Sequence, residues 1–410
     1  MFKFLFSGKN SKECVKYKDL FMDIDEKYKD KVLSMDNIGN NLIVGREDGK
    51  LQIINENMEN SNRIECFKKE FDLLDNEHVK EGITSIEILN EYELDKTLFI
   101  SNVREIKVMK LREKISVVDF IKNKGEKNRA NIDKIRKNKV FYSQKIDECN
   151  YVAKEICNFP NSHKYNINSL SLNASNEFLI ASDLLKINMI KPERMDFMYT
   201  VVDIKEKLDA GCIYVINSSK FSKVKDTMFG YGTSQGDVCI HDIKVDPKNN
   251  EICRLNNTII SKQKINMDNI EQNDKNSDIK SIVDFVFLDE NKIASRTLNK
   301  VSLFDIRNTN MKLMEYNLFE INDKMVESDI IYEKFKMTHL NGVIYTGTLS
   351  GEICVIDTNG SKNIKMNVSK VGNDLSIQNA IKHVHAYDNT LCCVNDGRII
   401  KYKIDEINKL

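Results

Sequence analysis

A glycine pattern that occurs three times along the chain constrains the fold more than any other feature. Each copy has a glycine, three intervening residues, a second glycine, and then polar and apolar residues in alternation. The copies are residues 45–53, 232–240 and 347–355. The second glycine supplies the positive φ angle of a tight hairpin turn, and the alternation predicts that a half-buried strand follows it. Because the same unit recurs at distant positions, the sequence predicts a repeat architecture.

Four weaker copies of this unit fill the gaps, each with two runs that alternate with period two. In sequence order, the seven copies begin near Leu42, Leu98, Phe178, Phe229, Ile293, Val343 and Leu391. Most are spaced by about 50 residues, close to the roughly 40–45 residues of a propeller blade. The sequence therefore predicts an all-β fold with seven propeller blades. A pair of β-sandwiches is the alternative, but sandwiches do not require a repeated glycine pair.

The ends of several predicted strands resemble the Trp-Asp ending of WD40 repeats. An aspartate stands at the matching position in Asp242, Asp305 and Asp357, although the chain contains no tryptophan. The residues expected in place of the tryptophan are His241, Phe304, Ile356 and Tyr402. The predicted fold is thus a WD40-like β-propeller.

Domain organisation follows from the repeats. The length of 410 residues would allow two or three domains, but a closed ring predicts a single domain over residues 1–410. From about residue 111 to residue 162 the repeat spacing lengthens, and residues 122–129 are almost wholly polar. We interpret this region as an insertion after the second blade, either a solvated loop or an arm that contacts a partner. The apolar run Met1–Phe6 is predicted to be a strand that helps to close the ring.

Composition excludes several classes of protein. With 62 basic and 62 acidic side chains, the net charge is zero, so no bulk attraction to nucleic acid or membranes is expected. The run Met1–Phe6 is too short for a signal peptide or a membrane span. The ten cysteines include no Cys-x-x-Cys pair, which indicates free thiols in a reducing compartment. We expect a cytoplasmic protein, with the nucleus as a second location.

The sequence contains no set of residues typical of a catalytic site. No P-loop, Gly-x-Ser-x-Gly or His-Glu-x-x-His motif occurs. His383 and His385 lie two residues apart and would share a strand face, as a metal-binding pair could, but no cysteine or carboxylate follows at ligand spacing. The sequence predicts no catalytic residue, no metal site and no cofactor, and it favours a binding protein over an enzyme.

Two segments carry a more specific resemblance. Residues 163–173 and 181–189 read H-K-Y-N-I-N-S-L-S-L-N and A-S-D-L-L-K-I-N-M, and a V-D-I-K run follows at 202–205. Residues 70–74 and 80–83 read E-F-D-L-L and K-E-G-I. Both segments resemble the fifty-five-kilodalton B-type regulatory subunits of protein phosphatase 2A. Weaker similarities to the same family occur at Arg296 and in the run Tyr332–Phe335.

This resemblance implies a function. Subunits of this family are non-catalytic propellers that dock on the scaffold subunit of the phosphatase through an arm from the second blade. They hold phosphoprotein substrates near the catalytic subunit. The implied partners are therefore the scaffold subunit, the catalytic subunit and phosphoprotein substrates. The alternative is a WD40-like interaction scaffold of another complex, such as a ubiquitin-ligase receptor or a trafficking component.

The resemblance also implies a substrate groove on one face of the ring. The candidate substrate-binding residues are Glu81, Asp183, Leu184, Tyr165 and Glu47. At two positions where the family has an acidic residue, this chain has Lys80 and Leu184. We therefore predict a groove less negative than is usual in the family, with more apolar contact at Leu184.

Overall fold

The fold is described from a computed structural model. The structure describes residues 20–22, 31–55, 61–67, 70–72, 77–79, 82–89, 95–113, 151–205, 214–245, 251–257, 264–266, 279–319, 321, 325, 329–359, 363–368, 380–395 and 397–407. Within these residues, no helix has the length and apolar character needed to cross a membrane. Almost all regular structure is β, with a 3₁₀ turn at Asp329–Tyr332 and a short helix, α1, at Ile404–Ile407.

The strands of the first three blades follow one another along the chain after an initial strand β1 at Leu20–Met22. Blade 1 contains β2 Val32–Ile38, β3 Asn41–Arg46, β4 Lys50–Ile54 and β5 Ser61–Glu65. A separate hairpin of β6 Glu70–Asp72 and β7 Glu77–Val79 precedes blade 2. Blade 2 contains β8 Ser85–Leu89, β9 Asp95–Ser101, β10 Ile106–Glu113 and β11 Tyr151–Phe159. Blade 3 contains β12 Ser169–Leu172, β13 Leu179–Ser182, β14 Lys186–Lys191 and β15 Arg194–Asp203.

The remaining four blades complete the ring. Blade 4 contains β16 Ile216–Phe221, β17 Met228–Thr233, β18 Asp237–Asp242 and β19 Cys253–Asn256. Blade 5 has four strands that correspond to those of the other blades, β21 Asp284–Phe287, β22 Lys292–Arg296, β23 Lys300–Asp305 and β24 Asn308–Asn317, and they are counted in that order as its first to fourth strands. A fifth strand, β20 Lys264–Asn266, pairs parallel with β24 at the outer edge of this blade. Blade 6 contains β25 Met337–Leu340, β26 Val343–Gly347, β27 Glu352–Asp357 and β28 Asn363–Asn367. Blade 7 contains β29 Val384–Tyr387, β30 Thr390–Asn395 and β31 Arg398–Lys403.

The ring closes where the first and the last strands of the described chain pair with each other. Strand β1 pairs antiparallel with β31 and becomes the outer strand of blade 7. The predicted closing strand Met1–Phe6 lies outside the described residues. The first strand of each blade contacts the first strands of its neighbours in cyclic order, so these seven strands surround a central channel. The predicted seven-bladed propeller is confirmed, and every predicted repeat start lies in or beside the second strand of a blade.

The two glycines of the repeated pattern have different structural roles. The second glycine has a positive φ angle in all three copies, as a tight turn requires; for Gly351 the angle is 77°. The first glycine allows close packing between blades. A Cβ atom on Gly347 would lie 2.6 Å from side-chain atoms of Ile381, and Gly45 and Gly232 face isoleucines of the next blade in the same way. The first glycine is therefore a contact position rather than a turn position.

One expectation about the strands was wrong. The alternation predicted that the strand after each glycine pair would be half-buried, but β4, β18 and β27 are buried on both faces along most of their length. The reason is that each blade packs face to face against the next, and core clusters combine apolar side chains of two neighbouring blades. The residues expected in place of tryptophan are all buried, and His241 stacks between Phe229 and Tyr231.

The predicted insertion begins and ends within blade 2. Strands β10 and β11 are the third and fourth strands of this blade, and their pairing includes Glu113 opposite Tyr151. Residues 114–150 connect these paired residues and lie outside the described residues. The predicted arm at 111–162 thus includes strand residues of the blade at both of its ends.

Candidate functional site

One face of the ring collects most of the candidate residues. We call it the upper face: the side where the first strand of each blade begins and the second strand ends, as in the pairs Ser169–Ser182 and Asp284–Arg296. The connections between blades and the turns after the second strands lie at this face. Loops of successive repeats therefore meet around the opening of the channel.

Asp183 lies at this face in a buried polar network. Its side chain is fully buried, and its carboxylate accepts hydrogen bonds from the amides of Leu185 and Lys186 at 2.7 Å each. The other carboxylate oxygen lies 3.1 Å from Nδ1 of His163. Asn188 lies 3.3 Å from the second ring nitrogen of His163. In this arrangement Nδ1 of His163 faces the carboxylate as a donor, and Nε2 faces the side-chain amide of Asn188.

The network sets the charge state of Asp183. Burial raises the pKa of this carboxyl, but the hydrogen bonds from His163 and the two backbone amides outweigh burial and hold its pKa below the usual value. Asp183 therefore carries a negative charge that is already hydrogen-bonded within the protein. Three residues of the sequence segment that resembles the phosphatase family, His163, Asp183 and Asn188, thus hold the loop and turn of blade 3 together.

The other candidate residues differ in exposure. Tyr165 is exposed, two residues beyond His163, whereas Leu184 is half-buried and its carbonyl accepts a hydrogen bond from the amide of Ile216 of blade 4. Glu47 is half-buried in the glycine turn of blade 1, and its backbone packs against Gly82. Glu81 and Lys80 lie outside the described residues. Substrate binding by these residues stays a prediction.

Backbone hydrogen bonds join these positions into one sector of the upper face. The amide of Ile83 donates to the carbonyl of Arg46, beside Glu47, and the amide of Thr84 donates to Ser101 of blade 2. The amide of Ile167, next to the Tyr165 segment, donates to the carbonyl of Val103. Glu47 therefore lies where blade 1 meets blade 2, Tyr165 near the contact of blades 2 and 3, and Asp183 and Leu184 on the side of blade 3 that contacts blade 4.

A bond across the channel opening was not foreseen from the sequence. Nζ of Lys334, just before blade 6, donates to the side-chain oxygen of Asn168, just before blade 3, at 2.9 Å. Because two blades separate these residues on one side and three on the other, the bond spans the mouth of the channel. Both residues belong to segments that resemble the phosphatase family. The sequence therefore marked both segments, but it did not indicate that they contact each other.

Arg296 forms a second contact of this kind. Its guanidinium is fully buried, lies 4.5 Å from the ring centre of Phe335, and donates to the carbonyl of Gly347 at 2.6 Å. Its Nε and Nη1 atoms have no hydrogen-bond partner among the described residues. Burial lowers the pKa of Arg296 to about 9. Arg296 and the Tyr332–Phe335 run, the two weaker similarities to the phosphatase family, therefore pack against each other between blades 5 and 6.

The channel below the mouth is lined by charged side chains and has a cavity volume of about 550 Å³. The ionisable residues that line it are Asp36, Glu87, Lys220, Lys223, Lys336, His339, His383 and His385. Near the upper end, the Lys220 ammonium forms an ion pair with the buried Asp284 at 2.8 Å. Deeper in the channel, Lys223 donates to the carbonyl of Leu172 and lies 4.0 Å from Glu87.

Burial in this narrow channel favours neutral forms of several groups. Burial and the nearby Glu87 raise the pKa of Asp36 to about 8, and burial also raises the pKa of Glu87. Burial lowers the pKa of His385 to about 4. Nε2 of His385 lies 3.9 Å from Asp36 and 2.9 Å from the side-chain oxygen of Asn37. At neutral pH the His385–Asp36 contact is therefore not an ion pair.

Within the described part of the chain, the structure contains no group of three or more histidine, cysteine or acidic residues placed to hold a metal ion. His383 and His385 line the channel, and Asp36 is a carboxylate neighbour of His385 that sequence spacing could not reveal. The seven described cysteines are free thiols. The predicted absence of metal, cofactor and catalytic residues stays a prediction.

Comparison with known proteins gives three named relatives. No protein-family model matches the chain. The B regulatory subunit of protein phosphatase PP2A from Candida tropicalis is 24% identical over 345 residues, which cover 79% of this chain and 66% of that protein. The regulatory subunit phr2AB of serine/threonine-protein phosphatase 2A from Dictyostelium discoideum is 27% identical over 222 residues, covering 52% and 44%. The PP2A 55 kDa regulatory subunit of Drosophila melanogaster is 23% identical over 367 residues, covering 86% and 71%.

The chain is similar to these PP2A regulatory subunits, and its seven-bladed propeller is the fold of a divergent WD40 protein. The resemblance predicted from the two sequence segments is thereby confirmed. The chain spans 66% and 44% of the first two relatives' own lengths. Among solved structures, the computationally designed Ika8 protein matches with a TM-score of 0.49 at 11% identity, covering 92% of this chain and 97% of that one. A score this low supports no conclusion about fold or function.

Proposed function

We propose that this protein is a non-catalytic regulatory subunit of protein phosphatase 2A. In this proposal it docks on the scaffold subunit and recruits phosphoprotein substrates to the catalytic subunit. The observation that carries the proposal is that three relatives named as PP2A regulatory subunits align with 52–86% of the chain. The propeller fold supports a binding role, and we propose the cytoplasm, with the nucleus as a second location, as its site of action.

The geometry of the upper face supports substrate recruitment there. Tyr165 is exposed, and the adjoining Leu184 and Glu47 are half-buried at loop positions around blades 1 to 3. We propose these residues, with Glu81, as the substrate contacts. Because the Asp183 carboxylate is buried and hydrogen-bonded within its own turn, its part in binding is to hold Leu184 in place.

Affinity purification tests scaffold docking. A tagged full-length protein should retain a phosphatase scaffold subunit and a catalytic subunit. Replacing residues 122–139 by a Gly-Ser linker of equal length should weaken scaffold binding by about tenfold or more, the loss expected for one interface anchor. The matched control replaces residues 268–277, a second polar segment, by the same kind of linker and should bind as wild type.

Two results would overturn the proposal. If no phosphatase subunit is retained, and ubiquitin-ligase or trafficking components are retained instead, the protein serves another complex. If both linker variants bind the scaffold equally to wild type, the inserted segment is not the docking element.

Tyr165 offers a test of the substrate groove that does not disturb the fold. Tyr165→Ala removes an exposed aromatic ring and should weaken binding of a substrate phosphoprotein to the assembled phosphatase by about tenfold. Phe197→Ala is the matched control, because Phe197 is also exposed but lies on the outer strand of blade 3. Equal binding by wild type and Tyr165→Ala, measured at low salt, would place the groove elsewhere.

A further inference from the structure

Lys336 lies at the mouth of the channel, and its ammonium forms no ion pair with any carboxylate in the part of the chain that the structure describes. Lys336 lies between blades 6 and 7, where its amide donates to the carbonyl of Lys382 at 2.8 Å and its carbonyl accepts from the Thr346 hydroxyl at 3.3 Å. These bonds fix the backbone, and the side chain lines the channel. Among the described residues, no carboxylate lies within ion-pair distance of its ammonium.

Two further lysines lie close to Lys336. Lys334 is exposed, and its ammonium is bound to a neutral amide oxygen, that of Asn168. Lys220 belongs to blade 4 and is paired with Asp284. Burial lowers the pKa of Lys336, and the positive charge of Lys220 lowers it further, although Asp284 and Glu87 act in the other direction. The Lys220 ammonium therefore repels that of Lys336, which in turn repels that of Lys334.

The acidic groups of this region are engaged elsewhere. The Asp284 carboxylate binds Lys220 and also accepts from the amide of Met337 at 2.8 Å. Glu333 forms an ion pair with Lys382 at 2.6 Å. Glu87 accepts a hydrogen bond from the amide of Leu172 and lies near Lys223. No described carboxylate therefore forms an ion pair with Lys334 or Lys336.

We propose that the upper mouth of the channel binds a phosphate dianion, either free or as the phosphoryl group of a peptide, through Lys334 and Lys336. Two ammonium groups match the charge of a dianion, and lysine binds phosphate oxygens as a compact point charge. The ligand would replace the neutral amide at Lys334 and give Lys336 the anionic partner that it lacks. The exposed Tyr332, two residues before Lys334, offers a contact for a peptide that carries the phosphoryl group.

This site differs from the predicted substrate groove in charge and in the blade that supplies its residues. The groove residues lie on blades 1 to 3, whereas Lys334 and Lys336 enter the mouth from blade 6. The proposal does not depend on assembly with phosphatase subunits, because all its groups belong to this chain. Its failure would therefore leave the proposed regulatory function untouched.

Calorimetric titration of the full-length protein tests the site. The probes are inorganic phosphate, a phosphoserine peptide and the same peptide without phosphate, all at one ionic strength set with sodium chloride. Wild type should bind the first two and not the third. Lys336→Gln and Lys334→Gln should each weaken binding by about tenfold or more, the effect of losing one charge-assisted hydrogen bond. Lys336→Arg, which keeps the charge, should retain binding.

The matched control is Lys186→Gln, which removes a lysine of the same face that is ion-paired with Asp203 at 3.0 Å, away from the channel. This variant should bind phosphate as wild type. Tighter binding of the phosphopeptide than of phosphate assigns the site to phosphoryl groups on peptides, and equal binding assigns it to the free ion. The proposal is overturned if neither probe binds, if Lys334→Gln and Lys336→Gln bind as wild type, or if Lys186→Gln loses as much affinity as they do.

Discussion

Asp183 and Arg296 are both fully buried charged residues at the upper face of the ring, yet their surroundings differ. The Asp183 carboxylate has His163 and two backbone amides as partners, so its pKa is held low and the charged form is favoured. The Arg296 guanidinium has one carbonyl and one aromatic face, so burial lowers its pKa and disfavours the charged form. The number of hydrogen bonds, not burial itself, decides whether a buried charge supports the fold.

The largest effect is expected at Asp183. Asp183→Ala would leave the His163 ring and the amides of Leu185 and Lys186 without their acceptor in a buried site. We expect the free energy of unfolding to fall by roughly 3 kcal/mol. Asp183→Asn keeps the shape and one acceptor oxygen, so its loss should be smaller. Chemical denaturation of the three proteins measures both differences, and equal stability of wild type and Asp183→Ala would contradict the description of this network.

Acid offers a further check on the same carboxylate. Because the pKa of Asp183 is lower in the folded state than in the unfolded state, its contribution is fully present above the unfolded value of about 3.9. That contribution is lost as the pH falls through the folded pKa. The stability difference between wild type and Asp183→Asn should therefore be constant from about pH 5 to pH 8 and shrink below about pH 4.

A smaller change in the free energy of unfolding is expected at Arg296, and its size should depend on which residue replaces the arginine. Arg296→Ala leaves a cavity beside Phe335 and should lower the free energy of unfolding by roughly 2 kcal/mol. Arg296→Met fills similar space without a charge, so its stability should lie within about 1 kcal/mol of wild type or above it. Thermal and denaturant unfolding at pH 7 measure both variants. If methionine destabilises as much as alanine, the guanidinium makes interactions that outweigh its burial, and the contrast with Asp183 fails.

The sequence predicted the fold well because the repeat is a local signal. The second glycine of each copy indicates a turn through its own backbone angle, and period-two alternation indicates a strand. The same pattern could not reveal why the first glycine is needed. That reason is an isoleucine of the next blade, about 34 to 50 residues further along the chain, which packs where a side chain would otherwise be.

The candidate site was predictable only in part. Tyr165, Asp183 and Leu184 became candidates because they lie in a continuous segment that resembles a known family, and their role in substrate binding stays a prediction. The structure places Tyr165 at the surface and Asp183 in the interior, a distinction that sequence likeness does not make. The cluster of lysines at the upper mouth of the channel was not predicted, because its members come from two distant stretches of the chain. Neither stretch is basic enough to stand out in a sequence with no net charge.

The sequence by itself determined the number of blades, the turns, and the similarity to regulatory subunits of PP2A, since each depends on short patterns of residues that are neighbours along the chain. Ring closure, the burial of Asp183 and Arg296, and the contact of Lys334 with Asn168 were decided by the tertiary structure. A closed ring brings residues 166 positions apart within 2.9 Å. The charge states of the groups in such a ring depend on which groups face each other across the channel. No local sequence pattern indicates that arrangement.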